Sequence, residues 1–225
     1  FTAIFLFSLS RFSKSYEFES FARNIDDGDR IFIISSIFGG TGAAGFPLLV
    51  KNMREGNING EHFNFMIKSN IGALTIMPYF KVAADESSEI DSKGFITKTK
   101  AALHYYFRNL NDGKSLDYLY YIGDNISSEY ENHEGGVKQK NNAHFVELAS
   151  ALAVVDFSFE KDNNQQTEYK EFGIKADRNS SEISFNDLAF ETNDILRSPL
   201  TKFFLFDFFV KHALRKELDH PYASG

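Results

Sequence analysis

The chain opens on an apolar run, Phe1-Thr2-Ala3-Ile4-Phe5-Leu6-Phe7, without a basic start and followed at once by polar residues, which reads as a buried strand. Phe18, Phe21 and Ile25 then recur at helical spacing from Glu17 to Ile25, until Asp26-Asp27-Gly28-Asp29 forces a turn. Arg30-Ile31-Phe32-Ile33-Ile34-Ser35-Ser36-Ile37 is a continuous β-branched run, the pattern of a parallel strand covered on both faces. From Ala43 to about Arg54 the positions Phe46, Leu49, Val50 and Met53 repeat at helical spacing, with Pro47 tolerated in the first turn. Between that strand and that helix lies Gly39-Gly40-Thr41-Gly42-Ala43-Ala44-Gly45.

The alternation continues. Gly72 to Met77 predicts a strand, Thr97 to Leu110 a helix, and Leu116 to Ile122 another strand. Strands alternating with helices predict an α/β fold: a three-layer, Rossmann-like parallel sheet with helices on both faces. Right-handed crossovers would then gather the strand-to-helix loops on one edge, where such folds bind ligands. Ala143 to Phe157 is apolar nearly all round, apart from His144, Glu147 and Ser150, and predicts a buried central helix. Lys161 to Glu168 is polar and predicts a linker. Short strands are expected at Phe172-Gly173-Ile174 and Ile183-Ser184-Phe185, and a helix from Asn193 to about Leu218 before Pro221. In that helix Phe203, Phe204, Leu205, Phe206, Phe208 and Phe209 are expected to be core. The division expected is a nucleotide-binding domain over 1–157 and a short, divergent α+β region over 158–225.

Composition narrows the chemistry. A net charge of −7 has the wrong sign for a grip on nucleic acid or an anionic membrane, so an anion needs a local site. With no cysteine among its 225 residues, the chain has no disulfide, no thiolate metal site and no cysteine nucleophile; a cytoplasmic setting is expected. No uninterrupted apolar run reaches the roughly 18 residues that insertion as a membrane helix requires. A start on Phe1 in place of Met is expected of an internal fragment.

The glycine cluster is the clearest chemical signal. Glycines let backbone pass close to an oxyanion, and the amides and dipole of the following helix favour negative charge there. The alternative is a tight strand-to-helix connection with no ligand. The lysine of a Walker loop is missing, because Gly45 is followed by Phe46-Pro47. Gly40, Gly42 and Gly45 also satisfy G-x-G-x-x-G, but the strand then expected over Phe63-Asn64-Phe65-Met66-Ile67 ends on Lys68-Ser69-Asn70, without the acid that holds a dinucleotide ribose. The six histidines show no paired metal-ligand spacing; His144 and Glu147, one turn apart, read as a hydrogen-bonded core pair.

Three blocks, in order, resemble the tubulin/FtsZ superfamily. RIFIISSIFGGTGAAG resembles the family strand and its GGGTG[ST]G phosphate signature; Gly72 to Phe80 resembles the strand that ends in a proline-aromatic pair; Asp117 to Asn125 resembles the strand D-x-L-x-x-I-P-N-D. The apolar helix after Asn141-Asn142 is similar to the family's central helix, and the resemblance covers about Glu17 to Phe157. It implies phosphate contacts from Gly39, Gly40, Thr41, Gly42 and Ala43, and base or ribose contacts from Asp124, Asn125, Asn141 and Asn142. It further implies GTP or GDP as ligand with Mg²⁺, GTP hydrolysis, and self-assembly into a homo-oligomer or filament. Phe38 stands where the family has its first glycine and Ala43 where it has Ser or Thr. The family's amino-terminal phosphate loop has no counterpart in Phe1 to Ser15. Asp156, Glu160 and Asp162 occupy the region of its catalytic acidic loop without that loop's pattern, and are expected to be solvated surface charge. An NAD(P)-binding oxidoreductase and a non-enzymatic scaffold are the alternative expectations.

Overall fold

The computed structural model describes residues 14–83, 94–126, 128–131, 142–161, 166–172, 187 and 190–214. In chain order the elements are α1 (Tyr16–Arg23), β1 (Arg30–Ser36), α2 (Gly40–Glu55), β2 (Asn57–Ile58), β3 (Glu61–His62), α3 (Asn64–Lys68), β4 (Asn70–Ile76), β5 (Phe80–Val82) and α4 (Phe95–Asn109). They continue as β6 (Tyr118–Ile122), β7 (Ser128–Tyr130), α5 (Phe145–Phe159), β8 (Glu168–Phe172) and α6 (Phe190–Phe209), which runs into a π-helical turn, Val210–Leu214. The expected strands over Phe1–Phe7 and Ile183–Phe185 lie outside the described residues.

The main sheet is parallel, in the order β1-β4-β6-β8. Alternation along the strands divides its side chains between two cores. On one face Ile31, Ile71, Ala73 and Leu119 meet Phe18 of α1, Phe46, Val50 and Met53 of α2, and Tyr106 of α4. On the other, Leu74, Tyr118, Tyr120 and Ile122 meet Val146, Ala149, Leu152, Ala153 and Phe157 of α5. The parallel sheet flanked by helices is therefore the expected α/β, Rossmann-like layout. Gly72 lets α5 approach, because a methyl group there would lie 2.7 Å from the Phe157 ring.

Strands are added along the sheet in one direction, yet α2 and α4 cross one face and α5 the other. The β6–α5–β8 crossover thus has the opposite hand to the first two, so the three are not all right-handed as expected. Arg30, at the start of β1, donates to the backbone carbonyls of Phe157 (3.1 Å) and Glu160 (2.6 Å), fastening the end of α5.

Several sequence expectations are corrected. α2 begins at Gly40, three residues earlier than its apolar pattern, because the glycines themselves take helical backbone. The strand expected over Phe63–Ile67 is instead largely the short helix α3. α5 is buried on one face only: Leu148, Val154 and Val155 are exposed and Phe159 is 72% exposed. The polar stretch expected to be a linker runs into β8, and Thr167 is buried, donating to the Leu116 carbonyl at 2.8 Å. Phe203, Phe204, Leu205, Phe206, Phe208 and Phe209 are not core; they are 53–66% exposed, because α6 lies beside α5 and reaches the second core through Leu196. Among the described residues no helix is long and apolar enough to cross a membrane.

Candidate functional site

β1, β4 and β6 end in register, Ser36 beside Ile76 and Ile76 beside Ile122, so the loops that follow share one edge of the sheet. After β1 the Ile37 amide still donates to the Ile76 carbonyl (3.0 Å). Ile37 and Phe38 are buried, and Gly39 takes extended backbone as the N-cap of α2. Gly39 offers no side-chain acceptor, and the first bond of the helix is Ala43 N–H to the Gly39 carbonyl (2.9 Å). The amides of Gly40, Thr41 and Gly42 therefore lack intrahelical acceptors, with the positive end of the helix dipole behind them.

The glycines have separate reasons. A Cβ at Gly42 would stand 2.3 Å from the Ser36 carbonyl oxygen, so only glycine lets the helix start so tightly against the strand it leaves. A Cβ at Gly40 would meet nothing within 4 Å, which leaves open space before the first turn. α4 holds this turn from the side: the Tyr106 hydroxyl donates to the Ala43 carbonyl (3.0 Å) and its ring packs on Phe46. Burial pushes the Tyr106 hydroxyl pKa well up, so it stays a donor.

A chain of rings crosses the same edge. Phe95 of α4 contacts Phe38, Phe38 contacts Phe80, Phe80 contacts Tyr79, and Tyr79 lies 4.7 Å from the His144 ring. Phe38, immediately before the glycines, thus helps to close this edge. His144 is the N-cap of α5: its Nδ1 accepts from the Val146 amide (3.1 Å), which leaves the proton on Nε2, 3.6 Å from Asp124 Oδ2. The pairing expected between His144 and Glu147 is therefore replaced by one with Asp124, and Glu147 is exposed. Burial raises the Tyr79 hydroxyl pKa, with Glu147 and Tyr130 adding to it.

The predicted site residues fall into two groups. Gly39, Gly40, Thr41, Gly42 and Ala43 stand together at the start of α2. Asp124 and Asn125 follow β6, two strand spacings along, roughly 10 Å away. Asn142 is exposed, two residues before the cap of α5, and Asn141 lies outside the described residues. Asp156 and Glu160 are elsewhere. Asp156 is buried, accepting from the Tyr120 hydroxyl (2.8 Å) and Lys170 (3.0 Å), and Glu160 also pairs with Lys170. They are an internal clasp between α5, β6 and β8, not solvated surface charge; Asp162 lies outside the described residues.

Beside the glycine loop a cavity of about 440 Å³ opens between α2 and α4. Gly39, Gly40 and Ala43 line one side, Lys98 and Tyr105 the other, with Phe38 among its apolar walls. Lys98 and Tyr105 carry no motif, and only the packing of α4 on α2 brings them here. The lining holds no carboxylate, and among the described residues no group of three His, Cys, Asp or Glu side chains is placed to hold a metal ion. These residues do not make an Mg²⁺ site of their own. No protein-family model matches this chain, no curated protein is detectably similar to it, and no solved structure matches it.

Proposed function

We propose that this chain is a tubulin/FtsZ-like nucleotide-binding domain that takes a guanine nucleotide, GTP or GDP, with its phosphates against the first turn of α2. The observation that carries the reading is the loop Gly39–Ala43: a helix start without a side-chain cap, pressed on the end of a parallel strand at Gly42 and open in front at Gly40. Free amides at a helix start, on the carboxyl edge of a parallel sheet, are how α/β folds bind phosphate. Asp124, Asn125 and Asn142, on the same edge, are proposed to meet the base or ribose. GTP hydrolysis and self-assembly belong to the same reading, from the resemblance alone.

Calorimetric titration of the protein with GTP, GDP, ATP and NADPH tests it, with Gly40→Asp as control. That substitution enters open space, so it leaves the fold intact while setting a carboxylate among the amides. GTP binding that Gly40→Asp abolishes supports the proposal. GTP binding untouched by it refutes the phosphate assignment, and binding of NADPH alone replaces this reading with the dinucleotide one.

A further inference from the structure

We infer that the outer surface of the α5–α6 helix layer is where a second copy of this chain docks, in a closed two-fold dimer. Such a dimer does not depend on the nucleotide site, because α5 and α6 cover the face of the sheet away from α2.

Each of the two helices buries one side and turns an apolar side outward. Val146 of α5 and Leu196 of α6 both reach the second core. Nine residues, about two and a half turns, carry a helix to its opposite side, and there stand Val155 and Leu205. Leu148 and Phe159 share the outer side of α5 with Val155, and Phe208 and Phe209 share that of α6 with Leu205. All six are exposed, Phe159 by 72%, Leu205 by 64% and Phe208 by 63%. Asp207, the acid among these phenylalanines, lies on the other side of α6 from Leu205 and pairs with Lys211 at 2.8 Å. With about 200 Å² to a ring and somewhat less to an aliphatic side chain, the outer surface amounts to roughly 600 Å² per copy. That is the upper end of what a typical monomer leaves in one apolar patch, about 300–600 Å². Two such surfaces face to face bury roughly 1,200 Å², the area at which specific association begins. Leucine and phenylalanine side chains on adjacent helices interdigitate with their own kind, so the surface is its own complement and a two-fold axis closes the assembly. The net charge of −7 opposes an anionic membrane surface as the alternative cover.

Sedimentation equilibrium of the unchanged protein, Leu205→Glu and Phe206→Ser, from about 1 to about 200 μM, tests this. The unchanged protein is expected to dimerise within that range. Leu205→Glu sets a carboxylate into the middle of the surface, twice in each dimer, and is expected to weaken association by more than about 100-fold. Phe206→Ser removes a ring that is 66% exposed but stands about a quarter turn round the helix from Leu205, and is expected to leave association within about twofold. Both side chains are exposed in the single chain, so circular dichroism of dilute protein should be the same for all three, which separates lost docking from misfolding. A monomer across the whole range overturns the inference. So does a dimer that Leu205→Glu leaves intact, or that Phe206→Ser weakens equally. Monomeric protein that co-sediments with phosphatidylcholine vesicles, and loses this with Leu205→Glu, also overturns it, by putting a lipid surface in place of the second copy.

Discussion

Gly40 and Gly42 stand two residues apart in the first turn of α2, and a methyl group added to each should act in opposite directions. At Gly40 nothing lies within 4 Å of the new carbon, so alanine there limits the unfolded chain at no steric cost. The gain is about 0.5 kcal/mol. At Gly42 the same gain is opposed by a contact of 2.3 Å with the Ser36 carbonyl oxygen, more than 1 Å inside an ordinary 3.4 Å contact. Ser36 is held in register with Ile76, so the strand cannot retreat alone; α2 must lift, straining its packing through Phe46 and Val50. Overpacking of this kind costs about 1–3 kcal/mol. Gly42→Ala is therefore expected to be about 2 kcal/mol less stable than Gly40→Ala, roughly 4–8 °C in melting temperature for a chain of this size. Urea unfolding followed by circular dichroism measures both. If Gly42→Ala is as stable as Gly40→Ala, the tight turn on which the proposed phosphate site rests is wrong.

Arg54 donates to the carbonyls of Ser115, Ile67 and Ser69 and to the Asp117 carboxylate, all within 3.0 Å, so Arg54→Met should cost about 3 kcal/mol by leaving a largely buried carboxylate with the Ile71 amide but no cation, and by taking this donor from three carbonyls. A loss below about 1 kcal/mol in denaturant unfolding would show that water replaces these bonds freely. Burial is the first cause that holds the hydroxyls of Tyr79, Tyr106 and Tyr120 above their ordinary pKa of 10.0. The folded chain keeps protons that the unfolded chain releases, so this contribution to stability is complete below about pH 10 and is lost as the pH rises beyond it. Absorbance at the phenolate band should then rise together with the unfolding signal, and normal titration of these tyrosines in the folded protein would contradict their burial. Phe206, 66% exposed on α6, should tolerate Phe206→Ser within about 0.5 kcal/mol; a larger loss of stability would mean that the ring is covered.

What the sequence made legible follows from which physical signals are local. The apolar runs of β4 and β6 are visible because a strand covered on both faces has to be apolar throughout, and that of β1 is visible too, although as the edge strand it is not covered on both faces and Ile34 is exposed. The glycine loop is visible because Gly42 has no substitute where the chain turns against Ser36. β8 is not, since Glu168-Tyr169-Lys170-Glu171-Phe172 is mostly polar, as an edge strand can be, and Lys170 takes its partners from α5. The exposure of Val154, Val155 and the α6 phenylalanines is equally hidden, because apolar character does not say which neighbour arrives to cover it. His144 lacks the spacing of a ligand, and its tie to Asp124 joins two elements 20 residues apart in the chain.

Arg30 gives the fold a property that its stepwise layout does not suggest. A sheet built by adding strands in sequence order invites assembly and disassembly piece by piece, with the helix of the last crossover free to fray. Here the terminal carbonyls of α5 are satisfied by a side chain 127 positions upstream, in the first strand. The final turn of that helix is therefore not a local structure, and it is completed only once β1 lies in place. In hydrogen exchange, amides near Phe157 should gain protection together with those of β1, so that the first strand and the end of α5 open as one cooperative unit.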